Sequence, residues 1–131
     1  MTPTRRRLCQ GLLAATAFAA LPAAAQHAHD HKPKHGGLVR EANDFVYELK
    51  ATPTAITVWV TDEANQPVGT TGSAAKLALI DSGKRVEVAL APAGDNRLSA
   101  SGNFALRPGM GALLEVMVGG KAVAKLRYTL K

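Results

Sequence analysis

From Leu38 to Lys131 apolar and polar residues alternate in short runs separated by turn-forming residues, the period-two pattern of strands with one buried face. Phe45, Tyr47, Leu49 and Ala51 fall on one side, and Val46, Glu48 and Lys50 on the other, so the first set is predicted to face a core and the second to meet water. Ile56, Val58 and Val60 alternate in the same way with Thr57, Trp59 and Thr61. Between these runs Thr52-Pro53-Thr54 reads as a turn, because proline lacks the N–H that a central ladder needs. Asp62 to Pro67 forms a polar loop, and the Gly- and Thr-rich stretch from Val68 to Ser73 an irregular edge.

Ala75, Leu77 and Leu79 then alternate with Lys76 and Ala78, and Asp81-Ser82-Gly83-Lys84 turns the chain into Arg85 to Leu90, which predicts a hairpin. Leu98 with Ala100, Phe104 with Leu106, and Leu114, Val116 and Val118 continue the pattern. Gly119-Gly120 predicts a short hairpin loop into the last run, from Ala122 to Leu130. Seven or eight strands at such spacing, with no helical periodicity, predict an all-β antiparallel β-sandwich of immunoglobulin-like size, with a small β-barrel as the alternative. The pattern does not fix the strand order.

Ahead of this domain the chain changes character twice. Arg5, Arg6 and Arg7, an apolar stretch from Leu8 to Leu21, and Ala23-Ala24-Ala25 follow the order of a secretory signal peptide, which places residues 1–25 in a leader cut near Ala25 and Gln26. The apolar stretch is shorter than the roughly 20 residues that span a bilayer, so no stable membrane anchor is expected after cleavage. Thr4-Arg5-Arg6-Arg7-Leu8 also resembles a twin-arginine signal, and the export route stays open between that and the general secretory one. Residues 26–37 hold almost no large apolar side chain and read as a flexible, His-rich tail, with residues 38–131 as the folded domain.

Removing the leader changes the charge and the chemistry. Residues 1–25 carry three arginines and no acid, so the formal charge of +6 falls to +3, and the remaining cations are spread among acids. That argues against a nucleic-acid partner. The single cysteine, Cys9, leaves with the leader, which excludes disulfides and thiolate ligands from the secreted form.

All four histidines, His27, His29, His31 and His35, fall in the tail. Imidazole titrates near pH 6.5 and is largely uncharged outside the cytoplasm, where it binds Cu(II), Ni(II) and Zn(II), so a histidine-rich tract is a composition suited to metal capture. In an extended chain alternate histidines stand about 6.6 Å apart, too far for nitrogens about 2.0 Å from a shared ion, so the tail must curl. Asp30 is a secondary oxygen ligand, Gly36-Gly37 a hinge, and Glu41 and Asp44 the acids nearest to it, while Lys32 and Lys34 oppose a cation. The plainer alternative is a solvated leader that binds nothing.

A cut after Ala25 puts His27 second in the mature chain, where its ring joins the free amine on Cu(II). Met110, in a Pro-Gly-Met-Gly loop, is a further secondary candidate through its thioether, whereas Met117 reads as a core filler. Trp59, opposite the core side of its strand, either covers a second apolar layer or sits on the surface. Catalysis is not expected: no histidine or cysteine lies in the folded domain, and its carboxylates sit mostly at turns and strand edges.

The runs Lys34-His35-Gly36-Gly37-Leu38-Val39, Tyr47-Glu48-Leu49, Ile56 to Asp62 and Leu90 to Leu98 resemble those of small exported bacterial proteins found with heavy-metal efflux systems of the copper and cobalt-zinc-cadmium type. They are also similar to N-terminal extensions of the periplasmic adaptor subunits of such pumps. The resemblance implies a periplasmic metal-binding accessory protein in heavy-metal resistance, with an efflux-pump component as partner, and His35 is the one position that maps onto the shared motif. The expectation from the residues is therefore Cu(II) or Zn(II) held by His27, His29, His31 and His35. Its rival is a metal-independent periplasmic interaction module.

Overall fold

A computed structural model describes residues 31–131, so the expected signal peptide and the tail from Gln26 to Asp30 lie outside the described residues. Eight strands run in the order β1 (Leu38–Ala42), β2 (Phe45–Ala51), β3 (Ala55–Asp62), β4 (Ala74–Asp81), β5 (Lys84–Pro92), β6 (Arg97–Ser101), β7 (Gly111–Met117) and β8 (Ala124–Thr129). All pairings are antiparallel, in one sheet ordered β1-β2-β3-β6-β5-β4-β7-β8. The described residues are thus all-β, as the alternation implies. The sheet rolls until its outer strands come together, where Arg40 Nε on β1 donates to the Arg127 carbonyl on β8 at 3.1 Å. The two layers of a sandwich are in this way joined into a nearly closed, barrel-like sheet.

The interior is filled from every strand pair. Tyr47 and Leu49, Ile56, Val58 and Val60, Leu77 and Leu79, Leu98, Leu114 and Val116, and Leu126 and Tyr128 are all buried in one cluster. Tyr128 donates its hydroxyl to the Tyr47 carbonyl at 3.2 Å, which satisfies a polar tip inside the core. Burial pushes the Tyr47 phenol up to about 12 and raises that of Tyr128 further.

Turn chemistry sets the connections. Ser82 and Gly83, with φ of 47° and 81°, form the two-residue turn predicted between β4 and β5. The Gly119-Gly120 turn differs from expectation: β7 ends at Met117 and β8 begins at Ala124, so the loop is longer than a two-residue hairpin, and both glycines take positive φ. Phe104 and Leu106 do not form a strand. Gly102 and Phe104 donate their amides to the Thr54 and Pro53 carbonyls, which draws this segment along the β2–β3 turn with both apolar side chains half-buried.

One layer of the sheet departs from the in-out alternation. Val46 and Glu48, expected to meet water, are only 5% and 6% exposed. Residues 31–37, expected to be flexible, explain this, for they lie over the outer face of β2 and β3.

Candidate metal centre

Glu48 and Trp59 are register partners on β2 and β3, side by side on the outer face of the sheet. On that face they collect the leading arm. Glu48 Oε1 accepts the amides of His35 at 2.7 Å and Gly37 at 2.9 Å, while Oε2 accepts the Lys34 amide at 3.0 Å and sits 2.9 Å from His35 Nδ1. Burial pushes the Glu48 carboxyl up, but the hydrogen bonds from Gly37, the His35 ring and the His35 and Lys34 amides outweigh it and hold the group below the ordinary glutamate range. It is therefore a carboxylate near neutral pH.

That charge state settles the imidazole. A carboxylate only accepts, so Nδ1 of His35 carries a proton, and in the neutral ring that leaves the lone pair on Nε2. The ring lies flat on Trp59, with centroids 3.9 Å apart and planes 3° from parallel. Carboxylate and indole together fix its position and tautomer. Its side chain is still 40% exposed.

The two glycines that follow have separate jobs. Gly36 takes a φ of +74°, a left-handed turn that lets the arm bend with open space around it. At Gly37 a Cβ would stand 2.5 Å from the Leu49 carbonyl oxygen and 2.9 Å from Glu48 Cγ, so only glycine allows the backbone this close. The His-Gly-Gly sequence is in this fold a docking device.

His31 comes to the same place from the other side. Its Nδ1 is 3.1 Å from Asn65 Oδ1 and its Nε2 is 3.2 Å from Glu41 Oε1 on β1, with 4% of the side chain exposed. Asn65, at a positive φ in the turn after β3, also accepts Lys34 Nζ through its carbonyl at 3.1 Å. His31, His35, Glu48 and Trp59 line one cavity of about 230 Å³, floored by Val46 and rimmed by Lys32 and Lys34.

The expected ligands are thus divided. His27, His29 and Asp30 lie outside the described residues. His31 and His35 share the cavity, and Glu41 reaches it through His31. Met110 does not belong there: it is 6% exposed in the core cluster, and its sulfur accepts the Arg107 amide at 3.0 Å, because the tight turn from Arg107 folds the side chain inward. Met117, expected in the core, is instead half-buried on the alternate face of β7. Asp44 is an exposed turn residue with φ of 66°. Among the described residues no group of three or more His, Cys, Asp or Glu side chains is placed to hold a metal ion.

Sequence reasoning missed Glu48 as a site residue and gave Trp59 no part in the site, placing it either over a second apolar layer or on the surface. The available signal was a large aromatic on the nominally polar side of β3, across from an acid and beside Val46, a face too apolar to be left in water. Comparison with protein-family models, with curated proteins and with solved structures finds no match to this chain.

Proposed function

We propose that the chain is an exported, non-catalytic metal-binding protein, an accessory to heavy-metal resistance or efflux in the periplasm, that captures Cu(II) or Zn(II) on its leading histidines. His35 is the anchor ligand through Nε2. His31 joins it by turning from Glu41 and Asn65, and His27 and His29 complete the set from the chain ahead.

The observation that carries this reading is the pairing of His35 Nδ1 with the Glu48 carboxylate at 2.9 Å. Ligating histidines characteristically donate their other ring nitrogen to a carboxylate, which fixes the tautomer and raises the basicity of the metal-facing nitrogen. The Trp59 stack adds a second restraint, so less rotational freedom is lost on binding than for a histidine on a free tail. Two imidazoles in one cavity do not complete a tetrahedral or square-planar set, so affinity depends on the histidines ahead of His31.

Calorimetric titration of the chain beginning at Gln26 with Cu(II) and with Zn(II) tests the proposal. Saturable binding is expected, weakened at least about tenfold in H35A and also weakened when Gln26 to Asp30 are deleted. No binding tighter than millimolar, or binding indifferent to H35A, contradicts it. The rival interaction module draws support from a separate feature, the open edge of β5.

A further inference from the structure

β5 has two unequal edges. One is paired with β4 from Lys84 to Leu90, whereas the other meets β6 only at Ala91 and Pro92, just before the Ala93 amide donates to the Arg97 carbonyl at 2.9 Å. From Lys84 to Ala89 the second edge is open. Val86 is 58% exposed there, although its register partner Leu79 is 3% exposed in the core.

The turn chemistry determines which backbone groups this edge offers. A two-residue turn with positive φ at both positions closes on a hydrogen-bonded pair, here Asp81 with Lys84. Lys84, Val86 and Val88 therefore direct their N–H and C=O groups at β4. Arg85, Glu87 and Ala89 direct theirs outward, in step with Ala91 and Ala93, which face β6. A row of outward, unpaired backbone groups is a template for another strand.

We propose that the strand this edge takes is β5 of a second copy, in antiparallel register with Arg85 of each copy opposite Glu87 of the other. Outward groups must meet outward groups, which limits the symmetric registers to a few. Arg85 opposite Arg85, or Glu87 opposite Glu87, sets like charges against each other in a cross-strand pair. Registers centred nearer Ala89 drive the second copy into β6, which already holds Ala91. The remaining register places two Arg85–Glu87 pairs about a two-fold axis at Val86. There the two exposed valines meet in the closer, non-hydrogen-bonded kind of pair, and the seam ends at Gly83 and Ala89, where β6 begins.

The charges needed are already on one face and in reach. Within the strand Arg85 Nη2 lies 3.2 Å from Glu87 Oε1, both side chains being about half exposed at 48% and 49%, and association exchanges this contact for the two across the seam. A seam of one short strand per copy belongs to the small, weak class of interface. Association is accordingly expected at high protein concentration. It rests on β5 alone and does not depend on metal.

Sedimentation equilibrium of the chain beginning at Gln26, with chelator present and at concentrations up to about 1 mM, tests it. The wild type is expected to dimerise. R85E and E87R, each of which creates like-charge pairs, are expected to stay monomeric, with folding checked by Trp59 fluorescence. An equimolar mixture of R85E and E87R regains complementary pairs and forms the heterodimer, and the double variant R85E/E87R dimerises with itself as the wild type does. A wild type that remains monomeric at about 1 mM overturns the proposal, as do single variants that associate like the wild type or a mixture that fails to pair.

Discussion

Replacing Glu48 with glutamine probes the docking of the arm while preserving the shape of the side chain. The amide oxygen still accepts the His35 and Gly37 amides, as Oε1 does now, but an NH2 group replaces Oε2 and faces two donors, the Lys34 amide and His35 Nδ1–H. The ring escapes by changing tautomer, so that Nδ1 accepts and Nε2 carries the proton. The Lys34 amide has no such escape. One hydrogen bond to a charged group is lost outright, about 1.5–3 kcal/mol, and because the arm lifts from the sheet without unfolding it, the cost is local. Amide exchange measured by NMR at Lys34, His35 and Gly37 should accelerate by roughly 10- to 150-fold at neutral pH, since 1.4 kcal/mol corresponds to a factor of ten. Amides of the core strands should keep their wild-type rates. On the proposed reading, metal affinity should also fall by about 10- to 100-fold in this variant, because the nitrogen proposed to face the ion becomes protonated. Unchanged exchange at the three arm amides would refute the reasoning, for it would mean that something other than the carboxylate holds the arm.

The same carboxylate makes docking sensitive to acid. Its folded pKa lies below the ordinary value of about 4.3, so the stabilisation is fully present above that value and is lost as pH falls through the folded pKa; Trp59 fluorescence should report a transition in that acid range that E48Q lacks. G37A should release the arm, because its Cβ meets the Leu49 carbonyl and the Glu48 stem, whereas G36A, with open space around it, carries only the roughly 1–2 kcal/mol strain of a left-handed alanine; comparing their arm-amide exchange separates the two. Both tyrosines are buried with raised pKa values, so their neutral form is favoured in the fold and stability is lost as pH rises beyond the ordinary phenol value of about 10; an absorbance titration should show no phenolate before the alkaline unfolding transition. Leu114→Ala removes a side chain with 0% exposure and should cost about 2–5 kcal/mol in urea denaturation, without altering exchange in the arm.

Much of the fold was legible in the chain because the inner face obeys a simple alternation. Tyr47 and Leu49, Ile56, Val58 and Val60, and Leu77 with Leu79 are buried as their spacing implies, and Ser82-Gly83 turns where its residues require. The alternation misleads where a second layer covers the outer face: Val46 and Glu48 read as solvent-facing, since nothing in their own strand reveals the arm above them. It also misleads at the rim, where Phe45 and Ala51, expected in the core, are only half-buried at the ends of β2. The histidines were conspicuous by composition, but composition makes the four of them equivalent. Only the register that sets Glu48 beside Trp59 singles out His35, and a long-range pairing of that kind is not written in local sequence.

The central claim is that the His35 ring is a preorganised ligand, held through Nδ1 and open at Nε2. Its most direct test is the ¹⁵N spectrum of the histidine rings as Zn(II) is added to the chain beginning at Gln26. The account predicts that in the free protein His35 is the Nδ1–H tautomer, and that Zn(II) shifts its Nε2 resonance while Nδ1 stays protonated against Glu48. An Nε2–H tautomer in the free protein, or a His35 ring whose resonances do not move when Zn(II) saturates the chain, contradicts it.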